Sequence, residues 1–492
     1  MIKKRWKKIL AASLVVGNLF FLPIVDAEIK TYSAMGVDYG NELESQDIVK
    51  LRARDKAIKN AVKQAGVYLK SYSRSINSEL TDDEITAITS NTYEIVGEVK
   101  YNQVAKQVTD QVILVMWEAT VDVKVDDSEI KNWYKRDSDE RSKIVTQTRE
   151  SNEAAADNER KVEDLRKRAN TVTDDAGRAQ LKKDFEQVDN EFLSNQKVEE
   201  GTRLAYQDKH DEAIKLYTEA IELNPNNTAA YFARAGIYHA RSILNKTDAK
   251  KFRTLAINDL NKAIEIKPDY SDAYGYRGMI YYFAKDYTKA INDFNRAIEI
   301  DPTNAQNYIY RSLYYTQVLK DNNRALADLN KAIELEPNNA HCYINRATFY
   351  ELDLKNYGRA IDDFNKAIEL EPNNPYAYAA RARFYSSPLI DSALRDYSRA
   401  AEDYSRAIEL QEQPAMVAMN YYNRGECYRA LKIYDKAIDD YTQAIELGTD
   451  NAVVQTLLKY IYHNRGECYK ALGDTAKAKA DFDKAKALGY NL

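Results

Sequence analysis

Apolar and polar residues follow a helical period over the second part of the chain, and the same pattern returns many times. The motif Ala-Ile-Glu, followed by Leu or Ile, begins at residues 220, 263, 297, 332, 367, 407 and 444, and the variant AKAL begins at 485. The shortest spacing between two copies is 34 residues. A unit of this length accommodates two helices, and repeated helix pairs stack into a solenoid. The pattern therefore predicts a helical repeat domain over residues 194–492.

Each copy keeps the same chemistry at the same positions of the unit. Positions are counted from the start of each copy, so that position 8 of the first copy is Gly201. Position 8 is Gly, Ala or Ser in all eight copies, and positions 20 and 27 are Ala in all eight. Positions 4 and 11 are Tyr in copies two to eight. Small residues let two antiparallel helices approach closely, and the tyrosine rings fill the space beside them. This repeat resembles the tetratricopeptide repeat. The resemblance implies a mainly α fold, a right-handed α-solenoid of about eight helix pairs.

Two further positions of the unit carry opposite charges. Position 7 is Arg and position 23 is Asp in copies two to eight, whereas the first copy has Glu200 and Leu216 there. Because the two charges occur together, we expect a series of ion pairs. The alternative is that the arginines form a basic binding groove. The sequence leaves open whether each pair closes within a copy or between neighbouring copies.

The chain begins with the pattern of an export signal. Five basic residues precede an apolar run from Ile9 to Val25, and the small residue Ala27 follows. Residues 1–27 are therefore predicted to be a cleaved signal peptide, so that the exported chain starts at Glu28 and resides in the periplasm, cell envelope or extracellular space. An uncleaved anchor is the alternative. No cysteine lies near the cleavage point for lipid attachment, and we expect no stable membrane insertion after cleavage.

Residues 28–128 predict a small α+β domain with the order β-α-α-β-β. Residues 29–39 alternate as a strand, Ser45 can cap a first helix, and TDDE at 81–84 forms a capping box for a second. Residues 96–108 and 112–125 predict a hairpin. The segments MGVDYG, ARDKAIKNAV and TVDVKV are similar to the envelope domain at the start of flagellar assembly protein T and of related bacterial lipoproteins. The resemblance implies a localising or docking role in the cell envelope.

Residues 129–193 predict a charged helical connector. Its apolar seam has alternating spacings of three and four residues and consists of Val162, Leu165, Ala169, Val172, Ala176 and Ala179. The seam favours packing on the chain itself, and the alternative is a weak coiled-coil self-association through residues 160–180. The sequence TDDAG at 173–177 can also open a new helix and fold the connector into a hairpin.

Composition narrows the classes of function. The chain has 16 Gly and 9 Pro among 492 residues, which favours helices, and its formal net charge of −5 argues against nucleic acid as a partner. The 3 cysteines are an odd number, expected as buried free thiols. The 4 histidines lack metal-ligand spacing, and phosphate-loop, nucleophile-elbow and metalloprotease motifs do not occur. We therefore expect no enzyme, metal or cofactor; an unrecognised enzyme in residues 28–128 is the weaker alternative.

The family resemblance also implies where a partner binds. Tetratricopeptide proteins hold extended peptides or helices on the surface lined by positions 2, 5, 9, 12 and 13 of each first helix. The residues selected there are Phe232, Met279, Tyr282, Phe283, Ile309, Leu313, Arg383 and Arg429. The Lys and Asn set that clamps a C-terminal carboxylate in some members is absent. The predicted function is an exported scaffold or adaptor for a protein or peptide of the cell envelope; the alternative is a receptor for a glycan or small molecule in the same groove.

Overall fold

The computed structural model describes residues 29–75, 80–109, 112–126, 129–130, 133, 138–207, 209–244, 248–390, 392–411, 414–448 and 452–490. The predicted signal peptide lies outside these residues. In chain order they form a small α+β unit, a long helical hairpin and a helical repeat. The mainly helical, solenoid-containing fold that the sequence predicts is confirmed.

The α+β unit is organised around the strand β4. The strand β1, Ile29–Gly40, runs antiparallel along one side of β4, Val112–Asp126. Two strands follow one another along the other side: β2, Glu94–Ile95, and β3, Lys100–Thr109. The sequence predicts a single strand over residues 96–108. Gly97 has a φ of 75°, which interrupts pairing, so the strand is divided and its longer part begins at residue 100.

Two helices complete the α+β unit. The helix α1, Gln46–Ser75, packs on the sheet through a buried stripe that includes Ile58, Ala65 and Leu69. Gly36 of β1 lies so close to α1 that a Cβ there would collide with the α1 backbone. The helix α2, Asp82–Thr92, starts with the predicted capping box, because Thr81 Oγ1 accepts a hydrogen bond from Glu84 N at 3.1 Å and the Glu84 carboxylate accepts one from Thr81 N at 3.0 Å.

The connector is a helical hairpin. The helix α3, Ser138–Ala169, turns into α4, Asp175–Tyr206, whose first turn is capped by the Asp174 carboxylate, 2.8 Å from Gly177 N. Val162 and Leu165 of the predicted seam are buried against apolar residues of α4. The seam is therefore used within the chain. Because α4 runs without a break through residues 193 and 194, the connector and the first repeat share one helix.

The first repeat unit combines the end of α4 with α5, His210–Leu223. The next four units are α6, Thr228–Leu244, with α7, Ala249–Ile266; α8, Ser271–Phe283, with α9, Tyr287–Ile300; α10, Ala305–Tyr314, with α11, Asn322–Leu335; and α12, Ala340–Leu352, with α13, Tyr357–Leu370. The last three are α14, Pro375–Ser386, with α15, Tyr397–Leu410; α16, Pro414–Ala430, with α17, Tyr434–Gly448; and, after the single turn α18, Ala452–Gln455, α19, Leu458–Ala471, with α20, Thr475–Ala487. A π-helical turn, Tyr315–Leu319, extends α10.

Cys342, Cys427 and Cys468 are free and buried, as predicted.

The predicted Arg–Asp pairs form, and each closes within one unit. Arg311 donates from Nε and Nη2 to the two carboxylate oxygens of Asp328, both at 2.8 Å, and from Nη1 to Asn295 of the preceding unit at 3.0 Å. Tyr308 and Tyr315 flank the guanidinium. The equivalent pairs are Arg234–Asp259, Arg277–Asp293, Arg346–Asp363, Arg381–Asp403, Arg424–Asp440 and Arg465–Asp481. The arginines thus hold helix pairs together and link neighbouring units, which answers the question that the sequence leaves open.

Candidate functional site

The first helices of the repeat and the helical hairpin enclose an elongated cavity of about 730 Å³. One wall comes from α3 and α4, through residues such as Ile144 and Thr202. The first helices of units two, three, five and six supply further lining residues, among them Gly236, Met279 and Ile344. The candidate functional site is this groove, and its lining is largely apolar.

Two large apolar side chains at the groove remain open to solvent. Ile243, near the end of α6, is 61% exposed, and Phe283, the last residue of α8, is 60% exposed. Both line the cavity. Uncovered apolar side chains that line a cavity are typical of a surface that receives a partner.

The structure separates the predicted groove residues into two groups. Phe232, Met279 and Ile309 are buried among neighbouring helices, with at most 4% of their surface exposed, and offer little surface to a partner. Tyr282, Leu313, Arg383 and Arg429 are partly exposed, and Phe283 is the most exposed of the set. Met279 and Phe283 line the cavity. Inward-facing positions of the repeat thus serve the packing of adjacent helices as well as the groove.

The charged end of the predicted groove is internally neutralised. Arg383 donates two hydrogen bonds, at 2.9 and 3.2 Å, to Glu351, whose side chain is fully buried. Burial raises the pKa of the Glu351 carboxyl, and the facing arginine opposes that effect. In the next unit Arg429 contacts Glu426 at 2.7 Å, and Asn464 donates to the same carboxylate at 2.6 Å. These groups hold neighbouring first helices together, so the apolar end of the groove is the better candidate for binding.

The helix α3 is anchored across the repeat by polar contacts that sequence reasoning missed. Arg141 pairs with Glu371 at 3.1 Å, and Arg149 approaches Asp272 at 3.4 Å. Tyr270 donates a hydrogen bond to the Glu150 carboxylate. Burial raises the pKa of Glu150 to about 7, helped by the nearby Asp272 charge and opposed by the Tyr270 hydrogen bond. No periodic signal in the sequence relates α3 to units that lie more than a hundred residues away.

A smaller cavity of about 350 Å³ lies between β1, α1 and the hairpin. Its charged lining residues are largely paired with one another: Lys56 contacts Asp38 at 3.1 Å and Glu159 at 3.0 Å, and Lys59 contacts Asp55 at 2.7 Å.

Within the described ranges, no three His, Cys, Asp or Glu side chains converge into a site for a metal ion. None of the helices in the described part of the chain combines the length and the apolar character needed to cross a bilayer.

Comparison with protein families identifies the repeat. Models of the tetratricopeptide repeat match residues 271–304 and 418–448, residues 364–409, and residues 340–374 and 460–488. A further model, described as TPR repeat, matches residues 201–241. These segments of the chain are tetratricopeptide repeats. The matches lie in the repeat domain, and the predicted similarity of residues 28–128 to flagellar assembly protein T is not among these findings.

Similar proteins share the repeat over part of their length. Hsp70-Hsp90 organizing protein 3 of Arabidopsis thaliana is 32% identical over 111 residues, which are 22% of this chain and 18% of that protein. The Hsp70-Hsp90 organizing protein of Triticum aestivum is 32% identical over 110 residues, 22% of this chain and 17% of that protein. The chain thus matches less than a fifth of these relatives.

Solved structures also contain similar helix arrangements. A tetratricopeptide repeat protein from Parabacteroides merdae is 20% identical, with a TM-score of 0.40 over 55% of this chain and 99% of that one. The APC/C hetero-tetramer Cut9-Hcn1 contains a chain that is 18% identical, with a TM-score of 0.41 over 65% of this chain and 61% of that one.

Proposed function

We propose that the protein is an exported, non-enzymatic scaffold that holds a protein or peptide partner of the cell envelope in the groove between α3 and the repeat. The observation that carries the proposal is the apolar groove with two uncovered side chains, Ile243 and Phe283. The basic and apolar pattern of residues 1–27 supports export. The α+β unit, which packs against the connector, supplies a separate surface for docking in the envelope.

The shape of the groove favours a chain-like partner. Its lining residues come from units one, two, three, five and six, and Ile144 and Gln147 of α3 face them. A helix or an extended peptide can place successive apolar side chains along such a groove. The names of the similar proteins refer to Hsp70 and Hsp90, which supports a protein as the class of partner. The absence of the carboxylate-clamping Lys and Asn set argues for an internal segment rather than a C-terminal tail.

A receptor for a small molecule or glycan is the second candidate. The cavity volume of about 730 Å³ lies within the ordinary range of small-ligand sites, about 300–1,000 Å³. Three histidines, His210, His239 and His341, stand among its lining residues, and Nδ1 of His239 makes a hydrogen bond with the Tyr276 hydroxyl at 3.0 Å.

The exposed groove residues allow a test that leaves the core intact. The double variant Ile243→Ser/Phe283→Ser should lose crosslinks to envelope proteins, formed in cells and identified by mass spectrometry, while its circular dichroism and melting temperature stay near those of the wild type. Leu488→Ser is the matched control, because Leu488 is 48% exposed at the end of α20 and does not line the groove. Unchanged crosslinks in the double variant would refute the groove as the partner site. Loss of a soluble glycan or small ligand with protein capture intact would favour the receptor.

A further inference from the structure

The turns between the first and second helix of the repeat units contain lysines in an unusual backbone conformation. Lys285, Lys320, Lys355 and Lys432 have φ values of 64°, 55°, 52° and 62°. The equivalent residue of the last unit is Gly473, with a φ of 86°. Glycine adopts this left-handed conformation freely, whereas a residue with a Cβ is strained in it. Four units thus carry a strained lysine where glycine fits best.

Backbone geometry does not require lysine at these turns. In the last unit Asp474 N donates to Tyr469 O at 2.9 Å, and the corresponding bonds from Asp286 to Tyr281 and from Ile433 to Tyr428 have the same length. The turn with glycine and the turns with lysine therefore close with the same helix-ending hydrogen bond. The lysine side chain must contribute something other than the turn.

The four ammonium groups are exposed and lack an ion-pair partner. Among the described residues, no carboxylate lies within 4.0 Å of any of them, although the charge of Lys320 reaches Asp353. The aspartates that follow two of them are already engaged: Asp286 pairs with Lys289 at 2.8 Å and Asp321 with Arg324 at 2.7 Å. This edge of the repeat is thus positively charged, in a protein whose formal net charge is −5.

Exposed apolar side chains accompany the lysines at the same turns. Beside Lys285 stands Phe283, 60% exposed, and beside Lys320 stands Leu319, 45% exposed. Leu352, Ile433 and Leu472 lie within three residues of Lys355, Lys432 and Gly473, and are 43%, 40% and 49% exposed. The loops on the opposite edge of the repeat carry acids instead, such as Asp301, Glu336 and Glu371. One edge therefore combines unpaired cations with uncovered apolar groups, and the other does not.

We propose that this edge, defined by the four lysines together with Leu319, Leu352 and Ile433, docks on the surface of a membrane that contains anionic phospholipids. Lysines at such a surface attract the anionic headgroups, and leucine or isoleucine side chains can enter the boundary of the acyl region. The lysines and the apolar side chains recur from turn to turn and do not converge on a pocket. A continuous lipid surface can contact all of these turns, which favours a membrane over a folded acidic protein. Leu319 and the four lysines do not line the groove, whereas Phe283, near Lys285, does, and it is therefore not counted as part of the docking edge.

The buried cysteines make a local test available in the full chain. A cysteine introduced by Leu319→Cys can be labelled with an environment-sensitive fluorophore while Cys342, Cys427 and Cys468 stay protected. Vesicles of phosphatidylcholine with phosphatidylglycerol should shift its emission to the blue, and brominated lipid should quench it. The same label at Asn338→Cys, in a loop on the opposite edge, should not respond. Because the readout is local, an apolar N-terminal segment that inserts into the vesicle does not produce the difference.

Replacing the four lysines by glycine removes the charge without harming the turns. The variant Lys285→Gly/Lys320→Gly/Lys355→Gly/Lys432→Gly should bind the anionic vesicles at least about tenfold more weakly, with a melting temperature equal to or above that of the wild type. The corresponding Lys→Arg variant should keep binding, and so should Lys331→Ala/Lys366→Ala, which removes lysines paired with Glu334 and Glu369. Equal binding by the glycine variant, equal responses at the two labelled positions, or a response to an acidic peptide but not to vesicles would overturn the proposal. None of these outcomes depends on the groove.

Discussion

Each arginine at position 7 of units two to eight is partly buried. The guanidinium of Arg311 is held between two tyrosines, its side chain is 19% exposed, and hydrogen bonds to Asp328 raise its pKa. Burial also raises the pKa of Asp259, Asp293 and Asp440, although each faces an arginine. Desolvation therefore offsets much of the attraction, and the free energy of unfolding depends mainly on keeping both partners present.

Replacement of Arg311 by leucine should therefore be costly. Arg311→Leu leaves the Asp328 carboxylate buried without its partner, and we expect a loss of about 3–5 kcal/mol in the free energy of unfolding, measured by urea denaturation. Adding Asp328→Asn should recover part of the loss. Asp293 pairs with Arg277 instead, so a double-mutant cycle of Arg311 with Asp293 should be additive. Additivity with Asp328 would contradict the pairing.

Glu150 makes the contact between α3 and the repeat sensitive to pH. Its pKa of about 7, raised by burial, lies above the usual value, so the folded protein takes up a proton that the unfolded chain does not hold at neutral pH. The stabilisation by this proton is fully present at acidic pH and is lost as the pH rises through 7. The groups that face Glu150 are Tyr270, Asp272, Lys267 and Arg149.

Melting curves can isolate this effect. Between about pH 8 and about pH 5, the wild type should gain up to about 3 kcal/mol relative to the Glu150→Gln variant, whose amide does not titrate. The protection factors of the α3 amides, which correct for the intrinsic pH dependence of hydrogen exchange, should rise over the same range in the wild type and not in the variant. Parallel stability profiles for the two proteins would show that Glu150 does not control the contact.

At the scale of elements, a buried charge network joins the α+β unit to the hairpin. Arg166 of α3 donates to Asp38 of β1 at 3.2 and 3.3 Å and to Glu44 at 2.8 and 3.0 Å. Arg52 of α1 bridges Glu44, at 3.2 Å, and Asp189 of α4, at 2.6 Å. Because these carboxylates are almost fully buried, the elements hold their relative positions only while both arginines remain.

Arg166→Met should uncouple the two parts. The substitution keeps a long side chain but removes one of the two cations that Asp38 and Glu44 each contact, which leaves the buried cluster one positive charge short. We expect a loss of about 3–5 kcal/mol in the free energy of unfolding. Limited proteolysis should then cut near the 170–174 turn at lower protease concentration. Lys167→Met is the control: Lys167 is exposed and makes a surface ion pair with Asp164, worth less than about 1 kcal/mol. Equal stability of the two variants would mean that the network does not carry the junction.

Small residues at position 8 allow the two helices of a repeat unit to pack closely. A Cβ at Gly201, Gly425 or Gly466, each at position 8, would press against the aromatic ring at position 24 of the facing helix. Position 8 is correspondingly limited to Gly, Ala or Ser in all eight units. Close helix contact within a unit is therefore encoded locally, which is why the sequence is sufficient to predict the repeat.

For the whole molecule, the predicted removal of residues 1–27 can be tested directly. N-terminal sequencing of the protein recovered from its native cells should begin at Glu28, because the residues ahead of it have the charge, apolar length and small exit residue of a signal peptide. Ala27→Arg should retain the precursor, since cleavage requires a small residue there, whereas Ala27→Ser should be processed normally. Recovery of wild-type chains with intact Met1 in the membrane fraction would contradict the prediction.

The sequence predicts some of the residues that line the groove, and the structure decides which of them are exposed. The positions of the first helices along the chain identify Met279 and Phe283 as groove residues, and both line the cavity. Phe232 and Ile309, at position 5 of their units, are buried by neighbouring helices, and Met279 is 4% exposed, so of these four residues only Phe283 is open to a partner. The contribution of Ile144, Gln147 and Ile243 to the groove depends on how α3 lies across the repeat. A repeat position fixes the side of a helix, whereas exposure depends on everything packed against that side.

The sequence by itself determined the features that rest on local periodicity: the helix pairs, the small and aromatic positions of their contacts, the Arg–Asp pairs, the capping box at Thr81 and the buried thiols. Tertiary structure alone decided that each Arg–Asp pair closes within its unit, that the seam at Val162 is used by α4, and that α3 forms a wall of the groove. The physical reason is the separation along the chain between the residues that interact. Helix and cap formation depend on residues three or four apart, whereas the packing of α3 on α8 joins residues separated by more than a hundred positions, and no repeating pattern records that contact.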